Sequence, residues 1–156
     1  MISVQMDPYA IQQLQERLSE LPPRLMAQAR QALRPLLYQA LQANLQKYFS
    51  GSAPAHGHAD KFLTPRSGKL MNSVLDSLEI TGDGDAIYIK IGSDVKYAAI
   101  QEYGGFAGRR GPFKKKGGHR TWIPPRPYLR PTMNDLEKQL PDLVEQAIQQ
   151  ANVAEL

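Results

Sequence analysis

Apolar residues recur at helical spacing in two long stretches of the chain, and a helix-start signal precedes the first: Asp7-Pro8 supplies a capping side chain and a proline at the first helical position, so a short helix is expected to about Ser19. Leu21-Pro22-Pro23 interrupts it. Leu25, Ala29, Leu33, Leu36, Leu37, Ala40, Leu41, Leu45 and Phe49 then follow at alternating steps of three and four, which puts them on one face of a longer helix. Pro35 falls inside that run and is expected to kink or split it. Near the other end, Met133, Leu136, Leu140, Val144, Ala147, Ile148 and Ala151 define a second long apolar face. That helix is expected to start near Pro131 and to kink at Pro141.

Between the long helices the period changes. Thr64-Pro65 is expected to open a short helix carrying Leu70, Val74 and Met71. Leu78 and Ile80 then alternate with polar neighbours, as Ile87, Ile89 and Ile91 do with Tyr88 and Lys90. Gly82-Asp83-Gly84-Asp85 separates the two runs. Alternation on both sides of a Gly/Asp cluster predicts an antiparallel hairpin with one buried face. Tyr97 to Tyr103 has room for one or two helical turns, ended by Gly104-Gly105. Phe106 to Arg120 reads as a glycine-rich basic loop, Arg120 to Ile123 as a further short strand, and Pro124-Pro125-Arg126-Pro127 as extended chain. The expected fold is α+β, a small antiparallel β-sheet packed against long N-terminal and C-terminal helices. Residues 1–156 form a single domain: a helical part and loop over 1–60, a hairpin core with its basic loop (106–120) over 61–128, and the C-terminal helix over 129–156.

Composition narrows the choice of function. The 156 residues, 42% hydrophobic and 22% charged, are ordinary for a globular domain. With no cysteine, disulfides and thiolate metal sites are excluded. No signal peptide is expected from Met1 to Tyr9, and no apolar run approaches the roughly 20 residues that span a bilayer. The net charge of +4 suits an acidic partner without specifying one.

Three phrases stand out in order. Arg66-Ser67-Gly68-Lys69-Leu70 comes first, with Ser73-Val74 closing the turn. Tyr97-Ala98-Ala99-Ile100-Gln101-Glu102-Tyr103-Gly104-Gly105 follows Ile91-Gly92-Ser93. Ile123-Pro124-Pro125-Arg126-Pro127-Tyr128-Leu129-Arg130-Pro131 is the third. This order resembles the tail-completion and neck proteins of tailed phages, in particular the virion morphogenesis family of Mu-like phages and related minor tail or head–tail joining proteins. The resemblance covers roughly Arg66 to Ala151 and departs from the common pattern at Ser67 (often threonine) and Tyr128 (often phenylalanine). It marks Gly68, Leu70, Tyr97, Glu102, Tyr103, Gly104, Pro125, Arg126, Pro127 and Tyr128 as family-motif structural positions. It implies a virion structural protein at the head-proximal end of the tail, assembled in the host cytoplasm. It further implies a ring, by analogy of six subunits, that meets the tail tube, the terminator or a head-side connector, with no cofactor and no membrane.

The physical chemistry of the same residues is compatible with this. Gly104-Gly105 can take positive φ and end a helix. Tyr97, Ile100 and Tyr103 share one face at spacing three and are expected to pack on the hairpin. Pro124, Pro125 and Pro127 stiffen the return path, so a loop is held between two rigid posts. That loop carries Arg109, Arg110, Lys114, Lys115, Lys116 and Arg120 without one acid. Such runs are commonly solvated. As a contact element the loop suits an acidic face of another subunit or tail protein, or non-specific contact with packaged DNA. Phe106, Phe113 and Trp122 interleave with the charges, which leaves stacking on single-stranded bases as the mode of an alternative nucleic-acid-binding accessory protein.

Candidate chemistry is sparse. His56-x-His58-x-Asp60 has metal-binding residue types, but its spacing is poor and no second cluster completes a coordination sphere. His119 stands alone in the basic loop. Ser67-Gly68-Lys69 lacks the earlier glycine and the preceding strand of a phosphate-binding loop. Glu102, between two tyrosines, has no partner acid, histidine or metal in any motif relation, so a hydrolase or nuclease built on it and the histidines is disfavoured. Its expected role is a hydrogen bond or ion pair, with Arg126 or Arg66, that fixes the fold or a subunit contact. The sequence therefore points to a protein that is not an enzyme and has no catalytic, metal or cofactor site.

Overall fold

The structure is a computed structural model that describes residues 1–50, 63, 68–83, 86–107 and 121–154. Among them lie five helices and five strands: β1 (Ile2–Gln5), α1 (Pro8–Ser19), α2 (Pro23–Tyr48), α3 (Lys69–Asp76), β2 (Glu79–Asp83), β3 (Ala86–Ser93), α4 (Ala98–Tyr103), β4 (Gly105–Ala107), β5 (Thr121–Ile123) and α5 (Leu129–Ala154). The α+β arrangement is the one that the two periodicities predict.

The helix α1 begins as its sequence dictates. The Asp7 carboxylate accepts the Tyr9 amide at 2.7 Å, and Pro8 stands at the first helical position. Its Ile11, Leu14 and Leu18 are buried. The two longest helices, α2 and α5, pack along one another. Ala29, Leu33, Leu37, Leu41 and Leu45 of α2 meet a face of α5 formed by Met133, Leu136, Leu140, Val144, Ala147, Ile148 and Ala151. A polar pair crosses this seam, as Asn44 Nδ2 donates to Gln139 Oε1 at 3.0 Å and Gln139 Nε2 donates to Asn44 Oδ1 at 3.3 Å. The reciprocal bonds satisfy the buried Asn44 amide, and a slip of one turn would break both. At the same face, Asp135 Oδ2 accepts from Tyr48 Oη at 2.8 Å and pairs with Lys47 Nζ at 3.0 Å.

Neither internal proline ends its helix, so Pro35 does not split α2. Both α2 and α5 run continuously, through Pro35 and Pro141 respectively. Each proline is exposed. The carbonyls they deprive of a donor, those of Gln31 and Glu137, are therefore on the outer side, where water can take the place of the missing N–H. α5 also starts at Leu129, two residues ahead of the expected Pro131, whose ring is tolerated in a first turn that lacks amide acceptors anyway.

The sheet has the order β1-β3-β2, all antiparallel. The hairpin β2–β3 pairs Glu79 with Lys90 and Ile80 with Ile89, and reaches Asp83 opposite Ala86. Ile89 and Ile91 are buried while Tyr88 is exposed, the one-sided face that the alternation predicts. β1 is not among the elements expected from the sequence, although Ile2, Val4 and Met6 alternate there. It pairs Ile2 with Ser93 and Val4 with Ile91 and makes β3 the central strand. At the join, a Cβ on Gly92 would run into the Ile2 carbonyl, so only glycine lets the two strands approach here.

Several expectations lie outside the described residues: the loop within Ser50 to Asp60 with His56, His58 and Asp60, the helix start at Thr64-Pro65, Arg66 and Ser67, Gly84 and Asp85, and the segment from Arg109 to Arg120 with His119.

Candidate functional site

The second and third sequence phrases meet in space and build the base of the basic segment. α4 is a six-residue helix whose inner face is Ala98 and Glu102, four residues apart. Glu102 is only 3% exposed. Its Oε2 accepts the backbone amides of Tyr128 at 2.7 Å and Leu129 at 2.9 Å, and its Oε1 accepts that of Arg130 at 3.2 Å. Those are the amides that open α5. A helix start presents unpaired N–H groups and the positive end of its dipole, so a carboxylate is the complementary group. Here it arrives from another helix, 26 residues back in the chain, instead of from the usual capping position.

The same clamp fixes the chain on both sides of the basic segment. The Arg126 amide donates to the Gln101 carbonyl at 2.7 Å. Tyr128 is fully buried, donates its hydroxyl to the Ala98 carbonyl at 3.3 Å and stacks edge-on against Phe49 at 5.5 Å. Burial raises the Tyr128 phenol pKa, and the nearby Glu102 carboxylate adds to the rise, so this hydroxyl remains a donor. Gly104 ends α4 with φ 74° and ψ 174°, and its amide donates to the Ile100 carbonyl at 2.9 Å. A Cβ there would lie 2.8 Å from Pro125 Cδ, so Gly104 and Pro125 touch backbone to ring.

From this base a two-stranded stem projects, where the sequence predicts loop from Phe106 onward. β4 pairs with β5, Gly105 opposite Ile123, Phe106 opposite Trp122 and Ala107 opposite Thr121. Thr121 to Ile123 thus does form a strand, but with β4, in a sheet of its own. Phe106 and Trp122 pack edge to face at 5.0 Å, yet they stay 61% and 54% exposed. Tyr103 is 54% exposed, with the Arg130 guanidinium 5.9 Å from its ring centre. The expectation that Tyr97 and Tyr103 pack on the hairpin is therefore corrected. With six residues, α4 has one inner face, and Ala98 and Glu102 occupy it.

Gly68, with φ 67°, precedes α3, and Leu70 is buried in the main core. α3 is tied to the end of β3 by Ser73 Oγ, which lies 2.9 Å from Ser93 Oγ and donates to Asp94 Oδ1 at 3.1 Å. This joins the first phrase to the core, apart from the clamp around Glu102. Pro125 and Pro127 are exposed, and Arg126 is half-buried. The Glu102 carboxylate is held by backbone amides and not by the Arg126 guanidinium. Arg109, Arg110, Lys114, Lys115, Lys116 and Arg120 are outside the described residues. Among the described residues no group of three or more His, Asp or Glu side chains could hold a metal ion, and no helix is long and apolar enough to cross a membrane.

What this arrangement defines is a class of protein: a small α+β fold with a two-stranded stem flanking a basic stretch of sequence, and with the buried acid of the described residues used to hold backbone. The chain matches the phage virion morphogenesis family over residues 9–149. It belongs to that family, and its role is accordingly in the structure or assembly of a phage virion. An uncharacterized protein of Methanocaldococcus jannaschii is 30% identical over 81 residues, which are 52% of this chain and 49% of that relative. The chain spans about half the length of this curated relative. No solved structure matches the chain.

Proposed function

We propose that the protein acts in tail completion and head–tail joining, as an oligomeric ring at the neck of the virion, and that it is not an enzyme. The observation that carries this reading is the clamp between α4 and α5. It uses the most buried acid of the described residues to brace a stem, and the braced stem leads into the six cations between Arg109 and Arg120. A scaffold that spends its buried carboxylate on backbone amides is suited to holding a contact element in place. In this reading the segment touches a neighbouring subunit or another tail or neck protein, such as the tail tube, the terminator or a head-side connector.

The test is imaging of the purified protein, alone at high concentration and mixed with tail tubes lacking it. Rings, and decoration of the head-proximal tube end, are the expected result. A protein that forms no ring and binds no tube end refutes the reading.

One observation favours a second reading, contact with nucleic acid. The exposed Phe106–Trp122 pair stands at the foot of the cationic segment, as a stacking platform would. Substituting Lys114, Lys115 and Lys116 by glutamate should then abolish a salt-sensitive mobility shift. Absence of any shift for the wild type at low salt removes this reading.

A further inference from the structure

The charge of this chain is divided between two places. The segment from Arg109 to Arg120 contributes six positive charges to a chain whose net is +4, so the remainder carries −2. Acids gather along the groove between α1 and α5, a cavity of about 340 Å³. Its floor is apolar, from Leu14, Leu140 and Val144, all nearly buried. Glu137, Asp142 and Glu145 stand on its rim, against a single cation, Arg17. That cation is already engaged: Arg17 Nη2 lies 2.6 Å from Glu145 and Nη1 lies 2.8 Å from Glu20. Asp7, whose amide donates to Glu137 Oε1 at 2.7 Å, adds a further acid at the other end. Counting the lining charges with Asp7 and Glu20, five acids oppose one arginine.

We infer that the groove between α1 and α5 receives the Arg109–Arg120 segment of a second copy of this chain. The inference rests on the ring reading above and names the surface that reading leaves open. The segment has the matching chemistry in its sequence, with Phe113 as one large apolar side chain flanked by Arg109 and Arg110 on one side and Lys114, Lys115 and Lys116 on the other. An aromatic anchor suits the apolar floor, and the flanking cations suit the acidic rim. The stem that leads into the segment neighbours α4, and β5 ends six residues before α5 begins. Leu140 lies 11 residues further along that helix, roughly 16 Å away along its axis. The segment and the groove, lined by residues of α1 and α5, are different stretches of one chain. A contact between them is head-to-tail, the kind that propagates from copy to copy and closes into a ring when the rotation allows.

The test exploits the absence of cysteine. One preparation carries Gln13→Cys in the groove wall and another carries Lys115→Cys. Mixed at concentrations where the wild type oligomerises, they should form covalent heterodimers under mild oxidation. In parallel, Asp142→Lys with Glu145→Lys should lower the association constant at least about tenfold, the effect of ~1.4 kcal/mol. Mixing with Lys114→Glu and Lys115→Glu chains should restore it, and thermal melts report whether each variant is folded. Oligomers that form without a link between the introduced thiols overturn the inference and leave the ring reading standing. So does a chain carrying both cysteines that links only to itself, at dilution and at high concentration alike. Variants of Lys114 and Lys115 that assemble like the wild type but no longer bind DNA also overturn it, and assign the segment to nucleic acid. A chain that never oligomerises, alone or on tail tubes, overturns both.

Discussion

Replacing Glu102 by glutamine removes one charge and almost no volume, so it isolates the electrostatic part of the α4–α5 clamp. The carboxylate accepts three amides, two at Oε2 and one at Oε1. Glutamine has one acceptor oxygen. Placed where Oε2 stands, it keeps the Tyr128 and Leu129 amides but turns its NH2 toward the Arg130 N–H. One bond to a charged acceptor is lost, worth ~1.5–3 kcal/mol, with some of the charge–dipole attraction at the start of α5. We expect a loss of ~2 kcal/mol, which for a chain of this length lowers Tm by ~4–8 °C. Alanine removes all three bonds and leaves buried amides without an acceptor, and should cost ~4 kcal/mol, or ~8–16 °C. Thermal unfolding followed by circular dichroism measures both. Amide hydrogen exchange at residues 128, 129 and 130 localises the effect, since those amides should lose protection first. The reasoning is refuted if both variants melt within about 1 °C of the wild type with these amides still protected, since that bounds the clamp at under ~0.5 kcal/mol.

Other perturbations test neighbouring parts of the structure. Gly104→Ala combines a backbone conformation at φ 74° that side chains rarely adopt with a Cβ 2.8 Å from Pro125 Cδ, and denaturant titration should register a loss of ~2–4 kcal/mol. Pro35→Ala returns an N–H to the middle of α2 at an exposed site, and Tm should rise; a fall would mean that the proline shapes the helix in a way the packing requires. At Asp135, burial pushes the pKa up, but hydrogen bonds from Tyr48 and Lys47 and the charges of Lys47 and Lys138 outweigh it and leave it lowered from 3.8. A lowered carboxylate stabilises the fold above its unfolded value and loses that contribution as pH falls below it, so the stability gap between wild type and Asp135→Asn should narrow as pH drops under 3.8. The Tyr48 phenol is pushed up to about 12 by burial and by its bond to Asp135. Its contribution should therefore hold below pH 10 and fade as pH rises toward 12, which alkaline unfolding of Tyr48→Phe beside the wild type would reveal.

How much of this was legible in the sequence depends on the range over which each feature is decided. The amphipathic faces of α2 and α5, the capped start of α1 and the β2–β3 hairpin follow from local spacing, because burying a stripe or a pleat face imposes its period on the residues. The three ordered phrases from Arg66 to Pro131 pointed to the phage virion morphogenesis family for the same reason: they are local strings. Other features belong to contacts between distant residues. Ile2, Val4 and Met6 alternate over too short a run to stand out, and β1 exists because β3 has an open edge with Gly92 placed to admit it. The three-residue strands β4 and β5 carry little signal alone, and the clamp brings them together. Pro35 read as a kink or a split, and α2 stays whole there because the proline lies on the exposed side, which the residues around it do not reveal. Glu102 was conspicuous as an acid without a partner in any motif. Only the tertiary structure supplies its partners, because backbone amides at a helix start carry no sequence signature and become a binding site for a carboxylate only when the fold delivers one to them.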